Sequence, residues 1–307
     1  MKIITDIYKH TPFPCAATVG SFDGVHCGHR AMLDELRAVA AEKGLPLMVI
    51  TFARHPRLLF DGECEPFLLT TNDERFAVLQ AAGVDYCVLL DFDSCMASMS
   101  AMRFMKEVLA GCLGVQLLAI GYDHHFGSPQ PGEGLEQYIS YGKELGVEVF
   151  GAQSYTLDGV TISSSAVRRA LAVGDVVSAG KFLGRNYSFC GKVVRGQGIG
   201  RGLGFPTANV LVDEQLKVMP ANGVYEVDVR LDGGVCKGVM NIGVRPTVGE
   251  NLMRTIEVHL LDFVGDLYGK ELVVEVVRRL RGELEFDNLN ALRFQIEVDV
   301  ARVKRGI

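Results

Sequence analysis

The sequence of 307 residues predicts an α/β domain built on a parallel sheet, followed by a small antiparallel β-barrel with a terminal helix. Three observations predict it. Over residues 16–154, unalternating apolar runs are separated by helical patterns, as expected of parallel strands covered on both faces. From Tyr187 onward, apolar residues recur at period two in short runs broken by glycine turns, as in a barrel. Between them, residues 174–183 read as a short helix and connector, which places the boundary near residue 184 and gives domains 1–183 and 184–307.

The first strand is the apolar run Cys15-Ala16-Ala17-Thr18-Val19. The turn Gly20-Ser21-Phe22-Asp23-Gly24-Val25-His26-Cys27-Gly28-His29-Arg30 follows it, and then a helix in which Met32, Leu33, Leu36, Val39 and Ala40 recur at helical spacing. In an open α/β sheet, a ligand binds at the carboxyl end of such a strand. Gly20 and Gly28 let a nucleotide approach the backbone, and the helix N-terminus offers N–H groups and a positive dipole end to phosphate. His26 and His29, three apart, can face one phosphate chain beside Phe22 and Asp23. The plainer reading is a tight glycine turn carrying two surface histidines. The shared strand–turn–helix setting favours phosphate. Zinc is the weaker option, because no cysteine or carboxylate cluster completes a ligand set.

Residues 47–52 form a second buried strand, running into Arg54-His55-Pro56. Helix 73–82, strand 85–90, helix 101–112 and strand 115–120 follow. The last of these ends in Gly121-Tyr122-Asp123-His124-His125-Phe126-Gly127, where an acid and aromatics between glycines suit a ligand loop. Helix 134–145 and strand 147–150 complete the alternation. In Ile162-Ser163-Ser164-Ser165-Ala166-Val167-Arg168 the serines can simply cap a helix. Arg168, one turn in, adds a guanidinium on the same spot and suits a triphosphate.

In the second half, strands are predicted at 187–194, 224–230, 236–242, 255–261 and 272–277. A terminal amphipathic helix spans 288–303, with Leu289, Leu292, Ile296, Val300 and Val303 on one face packing on the barrel. Gly196, Gly198, Gly200, Gly202 and Gly204 precede Phe205-Pro206-Thr207-Ala208-Asn209. A flexible hairpin is the plain reading, and the loop lacks the ending of a P-loop. Thr207 and Asn209 share a strand face, so a hydroxyl and an amide oxygen can reach one magnesium ion and its phosphates. Glu257 and His259 face away from the core residues Ile256 and Val258, and a carboxylate there can act as general base on a hydroxyl.

Composition sets outer limits. With 48% hydrophobic and 22% charged residues the chain is globular, and its net charge of −6 argues against nucleic acid. No apolar run has the length of a membrane span, and Met1-Lys2-Ile3-Ile4-Thr5-Asp6 lacks signal-peptide form, so a cytoplasmic location is expected. The eight cysteines are scattered without a C-x-x-C pair and read as free buried thiols.

Together these motifs resemble the bacterial bifunctional riboflavin kinase/FAD synthetases. The first turn is similar to the HxGH signature of the nucleotidyltransferase superfamily, with its Rossmann-like sheet. Thr51-Phe52-Ala53-Arg54-His55-Pro56, Leu69-Thr70-Thr71-Asn72-Asp73-Glu74-Arg75, the Gly121 loop and the Ser164 helix start look like further blocks of the adenylyltransferase half. Arg54 stands where the family has proline, His124 where an aromatic is usual, and Ser165 where threonine is usual. Pro206-Thr207-Ala208-Asn209, Asn241-Ile242-Gly243-Val244-Arg245-Pro246-Thr247, residues 257–263 and Leu280-Arg281-x-Glu283-x-x-Phe286 resemble the riboflavin kinase half.

The resemblance implies phosphorylation of riboflavin by magnesium-ATP in the barrel and adenylylation of FMN to FAD in the first domain. It implies that His26 and His29 are catalytic, and that Gly20, Phe22, Asp23, Gly28, Ser164, Ser165 and Arg168 bind ATP, with flavin on His55, Asp123 and Phe126. In the barrel it implies Glu257 as base, Gly198, Gly200, Gly202, Thr207 and Asn209 on ATP and metal, and Arg281 and Glu283 on the flavin. Riboflavin, FMN, FAD and ATP are then the partners. Two other readings compete: a single-activity adenylyltransferase with a flavin-binding regulatory barrel, and a nucleic-acid-binding barrel. The intact Thr207, Asn209 and Glu257 disfavour the first, and the acidic balance and scarce aromatics disfavour the second.

Overall fold

A computed structural model describes residues 1–56, 58, 66–121, 133–196, 198–231, 234–245 and 253–306. The chain divides into two compact units, Met1–Glu65 with Thr70–Ser163, and Pro66–Leu69 with Ser164–Ile307.

The first unit holds β1 (Lys2–Ile4), β2 (Cys15–Val19), α1 (Cys27–Glu42), β3 (Leu47–Phe52), α2 (Asn72–Ala81) and β4 (Tyr86–Leu90). After these come α3 (Ala101–Phe104), β5 (Val115–Ile120), α4 (Leu135–Leu145), β6 (Glu148–Gly151) and a small hairpin of β7 (Thr156–Leu157) and β8 (Val160–Thr161). Among the described residues the sheet order is β1-β4-β3-β2-β5-β6, and every pairing is parallel. Every residue of β2 and β3 is buried, which explains their unalternating apolar sequences. Ala17, Val19, Met48 and Ile50 join one core with Phe104 and Tyr138, while Ala16 and Val49 join another with Leu33, Leu36 and Leu79. Successive strand residues therefore feed opposite faces. The strand order reverses at β2 and β5, so the crevice at their carboxyl ends is the topological switch point where such sheets bind ligands.

One predicted helix is modified. The segment predicted as a helix over 101–112 is α-helical only to Phe104 and continues as a π-helix over Met105–Leu113, in which Met105, Val108, Leu109 and Leu113 are all buried. The widened turns end at Gly114, which adopts φ 76° against the backbone of Phe13.

The second unit begins with α5 (Ser164–Ala172) and α6 (Val176–Leu183). A closed barrel follows, made of β9 (Tyr187–Val194), β10 (Ala208–Leu211), β11 (Gly223–Leu231), β12 (Gly234–Arg245), β13 (Met253–Leu260) and β14 (Glu271–Arg281). A short helix, α7 (Ile199–Gly202), sits in the glycine-rich loop, and α8 (Leu289–Arg305) closes the chain. The barrel order is β10-β13-β12-β11-β14-β9, all antiparallel, with β9 pairing back onto β10. Closure leaves no open sheet edge. Its core takes Phe189, Tyr225, Val227, Met240, Ile242 and Val258 with Leu171 and Leu183 from α5 and α6.

Residues 66–69 also belong to this unit. Leu68 bridges Lys217, and the Lys217 ammonium, 2% exposed, donates to the Leu69 carbonyl at 2.8 Å.

Two expectations need correction. Leu289, predicted on the buried face of the last helix, is 61% exposed: it opens the helix, whereas the buried contacts of that face lie at Val300 and Val303 toward the other end. The cysteines are not uniformly buried: Cys15 and Cys87 are, but Cys95 and Cys190 are exposed, standing on outward-facing positions. Burial pushes the Cys15 thiol up to about 12 and the Cys87 thiol to about 11, which keeps both protonated and inert. No helix among the described residues is long and apolar enough to cross a membrane.

Candidate active sites

The turn after β2 is held by hydrogen bonds beneath it. Asp23 is fully buried, and its Oδ1 accepts from the Thr70 backbone N–H at 3.0 Å and hydroxyl at 3.3 Å; the same hydroxyl accepts the Gly24 N–H at 3.0 Å. Arg75, 3% exposed, donates to the carbonyls of Ser21 (2.9 Å) and Phe52 (2.8 Å), tying together the carboxyl ends of β2 and β3. Burial lowers the Arg75 pKa, and the charge of Asp23 opposes that. Phe22 and Val25 adopt φ 47° and 41°, left-handed values that a β-branched valine avoids elsewhere. Phe22 and Asp23 thus lie inside the turn, where they shape it.

His26 is the N-cap of α1. Its Nδ1 accepts the His29 backbone N–H at 3.3 Å, so in the neutral ring the proton resides on Nε2. The His26 and His29 rings stack at 3.6 Å between centroids, and Phe22 flanks His29 at 4.8 Å. Gly28 leaves little room here: a Cβ would press on the His26 ring at 3.2 Å and on the Ile162 carbonyl at 3.3 Å. A helix N-terminus with two stacked imidazoles is suited to an anion.

Of the other residues expected in this domain, Gly20 follows β2 directly and His55 sits half-buried just past β3. Asp123, His124 and Phe126, which follow β5 in sequence, lie outside the described residues. Ser164 and Ser165 open α5 in the second unit. Arg168, on the same helix, donates through Nε to the Phe67 carbonyl at 2.6 Å.

The second constellation is a single row across five barrel strands. Asn209 on β10 pairs with Glu257 on β13, Glu257 with Asn241 on β12, Asn241 with Val224 on β11, and Val224 with Arg281 on β14. Paired residues of an antiparallel sheet point to the same face, here away from the core that takes Ile256 and Val258. β14 runs to Arg281, beyond the predicted end at 277, and so brings Arg281 into the row. The row borders a cavity of about 360 Å³ whose walls include Thr207, Glu257 and Arg281, and also Leu292, Ile296 and Asp299 from α8.

At one end of the row the Thr207 hydroxyl donates to Glu257 Oε2 at 3.3 Å. The glycine loop is drawn tightly over this end: a Cβ at Gly196 would collide with the Asn209 amide, and one at Gly200 with the Phe205 carbonyl. Gly198 adopts φ 72°; it and Gly202 are exposed. His259 Nδ1–H donates to the Pro206 carbonyl at 2.8 Å, fixing the chain just before Thr207. At the other end Glu283 accepts from the Asn222 amide at 3.0 Å. A hydroxyl, an amide and a carboxylate converging is an oxygen donor set that fits a hard divalent cation. Among the described residues no group of three or more His, Cys, Asp or Glu converges, so phosphate oxygens would have to complete the shell.

Asp299 escaped the sequence analysis, and Arg75 stood there only as the end of a family block, with no role. Arg75 sits in an ordinary helix pattern and shows only as a buried cation. Asp299 lies within the apolar spacing Ile296, Val300, Val303, and a carboxylate inside a buried stripe is a readable signal.

Comparison with known proteins follows this division. The family model described as FAD synthetase matches residues 8–166, and that described as riboflavin kinase matches residues 183–307. A bifunctional riboflavin kinase/FMN adenylyltransferase of Pseudomonas fluorescens is 42% identical, covering 94% of this chain and 92% of that protein. One from Escherichia coli K12 is 40% identical, covering 97% and 96%. A crystal structure described as a macrolide-efflux protein from Streptococcus pneumoniae superposes with TM-score 0.89 at 29% identity, covering 98% of each chain.

Proposed function

Because the chain belongs to the bifunctional riboflavin kinase/FMN adenylyltransferase family, we propose that its two reactions are carried by the barrel row and by the turn after β2. The protein phosphorylates riboflavin with ATP to give FMN and ADP, and it transfers AMP from ATP to FMN to give FAD and pyrophosphate. We assign the adenylyltransferase to residues 1–183 and the kinase to 184–307. The observation that carries the kinase assignment is the convergence of Thr207, Asn209 and Glu257 under a close-packed glycine loop.

In the kinase, Glu257 takes the proton of the ribityl hydroxyl as its oxygen attacks the γ-phosphorus, and the bond to the ADP oxygen breaks. Thr207 and Asn209 would hold magnesium-ATP, the metal supplying charge neutralisation on the phosphates. The backbone of the loop around Gly198, Gly200 and Gly202 cradles the triphosphate. Arg281 and Glu283 take the flavin at the far end of the cavity.

In the adenylyltransferase, an oxygen of the FMN phosphate attacks the α-phosphorus directly and pyrophosphate leaves. His26, through Nε2–H, and His29 stabilise the charge that develops there. Gly20 and Gly28 admit the nucleotide to the backbone, with Phe22 and Asp23 fixing the turn. His55, Asp123 and Phe126 are assigned to the flavin, and Ser164, Ser165 and Arg168 to the outer phosphates, on the sequence pattern. The net charge of −6 favours small-molecule substrates over nucleic acid, and these substrates suit a cytoplasmic enzyme.

The test is a chromatographic time course with riboflavin, ATP and magnesium. FMN rising first and then passing into FAD supports the assignment. No conversion of riboflavin, with FAD formed only from added FMN, would reduce the barrel to a regulatory module.

A further inference from the structure

The apolar stripe by which α8 packs on the barrel contains a carboxylate. Asp299 is 1% exposed, and both of its oxygens are engaged. Oδ2 accepts from Arg281 Nε at 3.0 Å and Nη2 at 2.9 Å, and Oδ1 accepts from Gln295 Nε2 at 3.0 Å. A buried ion pair is a poor device for stability, since apolar residues of the same volume usually do as well. It is a good device for orientation, because the guanidinium fork fixes a plane. Arg281 is held on its other side by the Gly282 carbonyl, at 3.0 Å from Nη1, and its guanidinium carbon lies 5.9 Å from the centre of the Phe286 ring.

We propose that Asp299 is a positioning residue of the kinase: it fixes the Arg281 guanidinium at the end of the cavity that receives the flavin ring. This rests on the reading of the cavity as the kinase site. Arg281 stands three strands from Glu257 along the row, roughly 14 Å at the usual strand spacing. The phosphate chemistry is at the Thr207 end, so the opposite end takes the part of riboflavin farthest from its reacting hydroxyl. A fixed guanidinium beside an aromatic ring matches a planar heteroaromatic system edged with carbonyl acceptors. Because Arg281 would bind ground state and transition state alike, its misplacement acts on KM and leaves kcat alone.

The test measures riboflavin kinase kinetics in D299N, R281Q and D299N/R281Q, with FAD formation from FMN as an internal control. D299N is expected to raise the KM for riboflavin about tenfold, with kcat and the KM for ATP within about twofold of wild type. R281Q is expected to do the same, and adding D299N to R281Q to change the KM for riboflavin by less than about twofold, because one residue acts through the other. If D299N alone does not fold, D299E takes its place: it keeps the charge paired and displaces the carboxylate by one methylene, and it is expected to raise the KM for riboflavin in the same way, whereas a wild-type KM in folded D299E would overturn the positioning role. R281Q effective but D299N at the wild-type KM would overturn the positioning role, and so would D299N raising both KM values alike or adding its full effect to R281Q. R281Q without effect would instead remove the flavin assignment of that cavity end, and this inference with it.

Discussion

The Thr207 hydroxyl, just before β10, donates to the Glu257 carboxylate on β13 at 3.3 Å, joining residues 50 positions apart. In the proposed mechanism the same hydroxyl oxygen also holds magnesium-ATP, so Thr207 would couple metal-ATP placement to the base. T207V keeps the shape and removes the oxygen. Kinase turnover at limiting magnesium is expected to fall about tenfold, the weight of one good polar contact, and to recover partly as magnesium is raised. A rate equally depressed at all magnesium concentrations would place Thr207 outside the metal site.

The glycine loop approaches Asn209 so closely at Gly196 that a side chain there must displace the amide. G196A is therefore expected to raise the KM for ATP in the kinase reaction about tenfold or more. FAD formation from FMN is the control and should not change. Wild-type ATP saturation in G196A would mean that the loop does not shape the nucleotide site.

His26 has two jobs that can be separated. It caps α1 through Nδ1 and, in the proposed mechanism, presents Nε2–H to phosphate. Asparagine is a good N-cap without an imidazole. H26A is expected to cost about 1 kcal/mol of stability and also FAD formation. H26N should recover the stability, measured by urea unfolding, and not the activity. Activity restored by H26N would make His26 a cap and nothing more.

Glu226 is 3% exposed on β11, with Lys237 at 2.9 Å and Arg278 at 2.7 Å. Burial pushes its carboxyl up, but the two cations together bring it below the ordinary value of 4.5. A depressed carboxylate contributes stability that is present above about pH 4.5 and lost as the pH falls through its folded value. The wild type is expected to lose stability steeply below pH 4.5, and E226Q to show a flatter acid limb. Identical acid limbs in urea titrations would show that the cluster does not contribute.

Both halves of the fold were legible because periodicity changes visibly from buried parallel strands to period-two barrel strands. β1 was not, because three residues carry no period. The switch-point turn and the Thr207 and Asn209 pair were readable from residue types at short spacing, whereas Glu257, 50 positions further on, was joined to them by the family resemblance. The partners that hold them were not. Thr70 reaches Asp23 across 47 positions, and Lys217 reaches Leu69 across 148, distances over which local pattern is silent. The excursion of residues 66–69 into the second unit follows from such long-range bonds alone.

The most direct test of two separate sites pairs E257Q with H29A, each assayed for FMN formation from riboflavin and for FAD formation from FMN. E257Q is expected to lose about a hundredfold or more of kinase turnover while FAD formation stays at wild type. H29A is expected to lose FAD formation and keep FMN formation. Loss of both activities in either folded variant would contradict the assignment of the two reactions to the barrel row and the β2 turn.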